Sequence, residues 1–178
     1  MTPADVTRTL HEWQNYYTLL GEVSATLTGL MFVAASLGTR FIDNDSGPKV
    51  QTFMTPTVVY FSLVLLLSAL MNVPVQTGLS LTVQFTAAGL FGCGYSLSHL
   101  PRLHRFQHEG LLDKLTWVWT VAVPFFAALW LLAAAAGLHW SLAYGLDAAA
   151  AGVLLLVVIG LHNAWDVTLR LVRMTPSG

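Results

Sequence analysis

Five consecutive residues near the end of the last apolar stretch, His162-Asn163-Ala164-Trp165-Asp166, bring together an imidazole, an amide, an indole and a carboxylate. On a helix His162, Asp166 and Arg170 recur at i, i+4 and i+8 and share one stripe, with Asn163 beside it. Ionisable groups at membrane depth are costly; they face a bundle interior or a watery cavity and mark proton or ion paths. The stripe also fits a structural ion pair, Asp166 with Arg170 on its own helix or with Arg40 across the bundle. A buried charge without a partner is strongly destabilising. Asn163 then reads as a helix–helix hydrogen bond, and Trp165 as packing or an interface anchor.

A second carboxylate, Glu22, interrupts the first apolar run, at a level shared with Asn72, Gln76 and Gln84. In a ring of identical subunits, Glu22 and the hydroxyls of Ser24, Thr26 and Thr28 would line a cation pathway. The competing reading is a carboxylate that reaches the membrane surface one turn away. His104 and His108 carry the only metal-like spacing, i and i+4, between the helix-limiting Pro101 and Gly110. Beside Arg102 and Arg105 they read more simply as histidines facing lipid headgroups. A haem between His99 and His162 would need both on facing helices at one level. There is no HExxH, GxSxG, P-loop or CxxC, so no enzyme motif and no cofactor is expected.

The elements that must carry these groups follow from composition. The 178 residues are 55% hydrophobic and only 10% charged, whereas a soluble domain carries roughly 25% charged residues. No Asp, Glu, Lys or Arg falls between Lys49 and Arg102, and none between Lys114 and Asp147. A spanning helix needs about 20 apolar residues, so the first gap holds two spans and a short turn. The expectation is an all-α, polytopic bundle in one domain, with spans near 19–42, 55–73, 79–100, 116–138 and 148–168. Residues 1–18 form an interfacial helix or the protruding start of span one, with Trp13, Tyr16 and Tyr17 at the bilayer entry.

Basic residues fix the expected orientation. Arg40 and Lys49, then Arg102, Arg105 and Lys114, then Arg170 and Arg173 flank the odd-numbered loops and the tail, while the other two loops have none. The positive-inside rule puts the C-terminus in the cytoplasm and the N-terminus outside. Arg40, His99, His162, Asn163, Asp166 and Arg170 would then converge at the cytoplasmic mouth. Gly21, Ala25 and Gly29 form a small-xxx-small stripe for close helix packing, which predicts a central first helix. So small a bundle builds a solute path more easily between copies than within one, so a homo-oligomer in lipid is expected. The net charge of −1 excludes a basic nucleic-acid footprint.

A shift of 68 residues pairs Pro56 with Pro124, Gly92 with Gly160 and Arg102-Leu103-His104-Arg105 with Arg170-Leu171-Val172-Arg173. Duplicated hairpins, related by an axis along the membrane normal, would produce such a pattern.

Three segments, Thr26-Leu27-Thr28-Gly29-Leu30-Met31-Phe32-Val33-Ala34, Gly137-Leu138-His139-Trp140 and His162-Asn163-Ala164-Trp165, resemble those of a widespread group of small bacterial multi-pass membrane proteins. That group has a TLTGLLFVA-like first span and an NAW motif in the last. The resemblance implies a multi-pass protein of the bacterial inner membrane and transfers no catalytic residue. Asp166 stands where the group's pattern suggests an apolar residue. The function expected from these readings is an oligomeric channel or transporter-like protein for cations or protons; the alternative is a non-catalytic scaffold or regulatory subunit.

Overall fold

The computed structural model describes residues 3–38, 47–108 and 118–174. Among them are five α-helices and no strand: α1 (Pro3–Gly38), α2 (Gly47–Met71), α3 (Gly78–His108), α4 (Val123–Gly137) and α5 (Leu142–Met174). A π-helical turn, Val118–Ala122, leads into α4. Three stretches, Arg8–Ser36, Val118–Gly137 and Leu142–Asp166, are long and apolar enough to cross a membrane; Thr55–Met71 is apolar but shorter.

Large apolar side chains are as plain on the surface as in the core. Phe61, Phe85, Leu67, Leu131, Leu146 and Ile159 are fully buried, while Leu30, Phe32, Leu66, Leu90, Phe126, Leu154 and Trp165 are exposed. A helix that is hydrophobic all round belongs in a large core or in lipid, and a chain this small has no large core. The protein is a helical membrane protein.

The helices run alternately up and down. Gly21 meets Ser68 and Thr18 bonds Asn72, so α1 and α2 are antiparallel. Gly89 and Gly92 meet Leu132 and Ala128 across α3 and α4. Gly145 meets Leu138, and Gly152 meets Leu131, across α4 and α5. The N-terminal turns of α1 and the reversals after α2 and α4 thus share one end, which Tyr16 Oη ties together by donating to the Ala150 carbonyl at 2.9 Å.

The expected central place of the first helix is corrected: α5 holds the centre, packed on α4 and α2 and, less extensively, on α1. The reason lies in how the α1 hydroxyls are satisfied. Thr26, Thr28 and Ser36 each donate to the carbonyl four residues back on their own helix, at 2.8, 2.7 and 2.8 Å. They need no neighbour, so α1 tolerates the periphery. Of the small residues, only Gly21 is buried; Ala25 and Gly29 are exposed, and nothing lies within 4 Å of a Cβ placed at Gly29.

Several boundaries differ from those drawn on the sequence. The backbone remains helical through Pro101 to His108, so the expected polar loop begins later. Gly47 and Pro48 open α2 rather than close a turn, a position where proline's missing N–H costs nothing. Inside the fourth apolar run, Pro124 cannot donate to position 120 and its ring crowds that carbonyl. The preceding turn widens to π geometry there, as helices do where the ladder is interrupted.

The 68-residue shift has a partial counterpart. Gly92 on α3 admits Ala128 of α4, and Gly160 on α5 admits Phe61 of α2, so both shift-related glycines sit at tight crossings. The hairpins themselves differ: α4 and α5 pack extensively, while α2 and α3 touch little. Tyr60 and Tyr95 make one of their contacts, edge to face with centroids 6.0 Å apart.

The uncharged reversal between α2 and α3 is sealed by amides and hydroxyls. Gln76, almost fully buried, donates from Nε2 to the Leu70 carbonyl at 2.6 Å, and its Oε1 accepts from Ser80 Oγ and from Gln84 Nε2. Thr77 and Ser80 cap α3 reciprocally, each backbone N–H donating to the other's hydroxyl at 3.1 Å.

Candidate functional site

Two regions gather the polar groups, one at each end of the bundle. At the end where the reversals lie, α1 and α2 frame an open cleft of about 400 Å³, lined by Tyr17, Thr18, Gly21, Glu22, Ala25, Leu65, Ser68, Ala69 and Asn72. Gly21 makes the cleft possible: a Cβ there would lie 3.0 Å from Ser68 Cβ, so the helices approach closely at the floor. Ala25 and Ala69 keep the walls low. At the rim Thr18 Oγ1 donates to Asn72 Oδ1 at 3.1 Å, and Asn72 Nδ2 donates to the Ser68 carbonyl at 2.9 Å. The Asn72 amide is thereby fixed in orientation.

Glu22 projects from this cleft and is exposed, and its carboxylate has no hydrogen-bonding or ionic partner among the described residues. Of the amides expected at its level, Asn72 shares the cleft, whereas Gln76 and Gln84 belong to the α2–α3 reversal. Beneath the cleft Tyr17 Oη and Ser68 Oγ are buried without a hydrogen-bond partner among the described residues. Sequence reasoning did not single out Tyr17, Thr18 or Ser68 for this site. The available signal was the Gly21–Ala25 spacing, which marks where another helix comes close.

Ser24 is fully buried and its Oγ is also unpartnered among the described residues. Removing an unsatisfied buried hydroxyl relieves its desolvation cost. Ser24→Ala is therefore expected to stabilise the bundle by about 1 kcal/mol, read as a higher thermal unfolding midpoint in detergent; a lower midpoint would mean that the hydroxyl has a partner.

At the opposite end, His162 stacks on Trp119 of the π-helical turn, with ring centroids 4.1 Å apart and planes inclined by 29°. Sequence reasoning missed Trp119, because only the widened turn before Pro124 directs it there. His162 and Asp166 are both half-exposed, and Asp166 has no ionic partner among the described residues. The ion pairs expected of it involve Arg40, which lies outside the described residues, and Arg170, whose side chain does too. Asn163 is buried, yet the expected helix–helix hydrogen bond is absent among the described residues. Trp165 is 62% exposed and faces away from the bundle.

The side chains of His99, His104 and His108 lie outside the described residues, although their backbone belongs to α3. Since α3 packs chiefly on α4, the helices bearing His99 and His162 are not principal neighbours, which a bridging haem would require. Among the described residues no three His, Cys, Asp or Glu side chains converge as metal ligands would. Cys93 is a half-buried free thiol.

No family model, curated protein or solved structure matches this chain. The fold and the two polar regions therefore define a class alone: an all-α membrane protein with a carboxylate in an open cleft between its first two helices.

Proposed function

We propose that the chain is a five-span protein of the bacterial inner membrane, with its N-terminus outside and its C-terminus in the cytoplasm. Its copies assemble and pass cations or protons between them, and Glu22 is the carboxylate those ions meet. The up-and-down order of the helices and the basic residues that flank the odd-numbered loops and the tail, all but Arg8, support the topology. The bacterial membrane rests on the motif resemblance.

The observation that carries the reading is Glu22 on a face of α1 that no helix covers among the described residues. A carboxylate left against hydrocarbon is costly, and a second copy or an ion relieves that cost. The interior of one chain is filled by Phe61, Phe85, Leu131, Leu146 and Val153, which favours a route between copies over one through a single bundle. Thr26 lies on the same exposed face one turn further along; its hydroxyl donates to its own helix and keeps oxygen lone pairs for a passing cation.

The test is cation and proton flux into liposomes holding the purified protein. Wild type is expected to conduct, and Glu22→Gln to lose most of the flux while remaining folded and assembled. Absence of flux in the wild type sinks the reading. A scaffold that binds other membrane proteins is then the better account, favoured by the packed interior and by α1 hydroxyls that are satisfied on their own helix.

A further inference from the structure

We propose that the cleft between α1 and α2 is a binding site for a membrane lipid with a primary amine in its headgroup, the ammonium resting on Glu22 and an acyl chain lying along Ala25 and Leu65. This occupant competes with the conducted cation for the carboxylate invoked above, but its binding does not depend on conduction.

Three observations point to this ligand. The first is depth. The Thr18–Asn72 bond fixes the cleft's rim at the end of α2, where the chain reverses, and under the topology proposed above that reversal faces the headgroups. Glu22 lies one turn further in, about 6 Å along the axis at the helical rise. Side chains of a helix lean toward its N-terminus, so the Glu22 carboxylate leans back toward that rim. The second is the change in chemistry along the cleft: Thr18 and Asn72 pair at the rim, Ala69, Gly21 and Glu22 follow, and only apolar Ala25 and Leu65 line the inner end. A free amine or a lysine side chain would match the rim alone, whereas a lipid matches both ends.

The third is charge and hydrogen-bonding capacity. Glu22 has no counter-charge among the described residues, and an ammonium supplies one with three N–H donors. Asn72, with one amide hydrogen spent on the Ser68 carbonyl, keeps the other for a headgroup phosphate oxygen. Below them Ser68 Oγ and Tyr17 Oη are buried with no partner among the described residues, so the floor carries unused polar capacity. A quaternary ammonium has the same charge but no N–H, so it provides a sharp comparison.

The experiment is native mass spectrometry of the intact protein released from nanodiscs containing equal amounts of phosphatidylethanolamine, phosphatidylcholine and phosphatidylglycerol with identical acyl chains. Wild type is expected to retain phosphatidylethanolamine about tenfold over phosphatidylcholine, as the loss of charge-assisted hydrogen bonds implies. Glu22→Gln should abolish that preference while still retaining lipid. Ala25→Leu, which fills the inner end, should reduce retention of every lipid. Equal retention of the amine and trimethylated lipids by wild type overturns the proposal, as does an undiminished preference in Glu22→Gln. A change in subunit number with Ala25→Leu and no change in lipid retention also overturns it, because a second copy would then be the occupant. Flux lost in Glu22→Gln without any lipid preference leaves the transport reading standing alone; lipid preference without flux leaves the lipid site standing alone.

Discussion

Gly160→Val is expected to destroy the crossing of α2 and α5 and, with it, most of the folded protein. A Cβ at position 160 would lie 2.5 Å from Phe61 Cε1 and 2.9 Å from its Cδ1 and Cζ. The ring is fully buried, so it cannot swing aside without displacing its neighbours. Adding carbon to a well-packed core costs about 1–3 kcal/mol even where the structure adjusts, and valine adds branched bulk at a position that lacks room for a methyl. A loss of about 3 kcal/mol or more is expected, read as a large fall in the unfolding midpoint in detergent and poor recovery of monodisperse protein. Gly94→Ala is the control. No atom lies within 4 Å of a Cβ there, and alanine is favoured over glycine in a helix by about 1 kcal/mol. If both variants behave alike, the close approach of α2 to Gly160 is wrong.

The second large effect is expected at Gln76. Leucine there would fill a similar volume but leave Gln84 Nε2 without its acceptor, while the Leu70 carbonyl keeps the Val73 N–H at 3.2 Å and Ser80 Oγ keeps the Thr77 carbonyl at 3.0 Å. A buried polar group stranded in this way costs about 1–3 kcal/mol. Some of that is recovered because the reversal lies at the end of the bundle, where water can reach it. Gln76→Leu is accordingly expected to lower stability by about 1–2 kcal/mol, with faster amide exchange through residues 72–84. Unchanged exchange in the reversal would show that Gln76 does not organise it.

How much of this was legible depends on how local the cause was. Charge-free gaps and the Val75-Gln76-Thr77-Gly78 reversal announce a helical bundle, because lipid and tight turns each restrict composition in a way a single stretch displays. The place of α5 at the centre was not legible. Glycines 152 and 160 mark its tight contacts, but the α1 stripe Gly21-Ala25-Gly29 looks equally suited to packing. What separates them is the neighbour each residue meets, and that is a property of the whole bundle. Trp119 on His162 was hidden for a related reason: the stacking depends on a widened turn that Pro124 imposes at a distance of several residues. Glu22 stood out as soon as its apolar surroundings were read. The cleft beside it needed Ser68 and Asn72, which are more than forty positions away in sequence.

The self-bonded hydroxyls of α1 bear on how the protein is made. A nascent helix released into the bilayer before its neighbours exist must already have its polar hydrogens satisfied. Thr26, Thr28 and Ser36 meet that condition with their own carbonyls. α1 can therefore enter lipid first, as a finished cylinder, and wait for the rest of the chain. Tyr16 and Thr18 are groups that it satisfies only through later helices, on the Ala150 carbonyl and on Asn72, and Glu22 gives the surrounding lipid something to recognise.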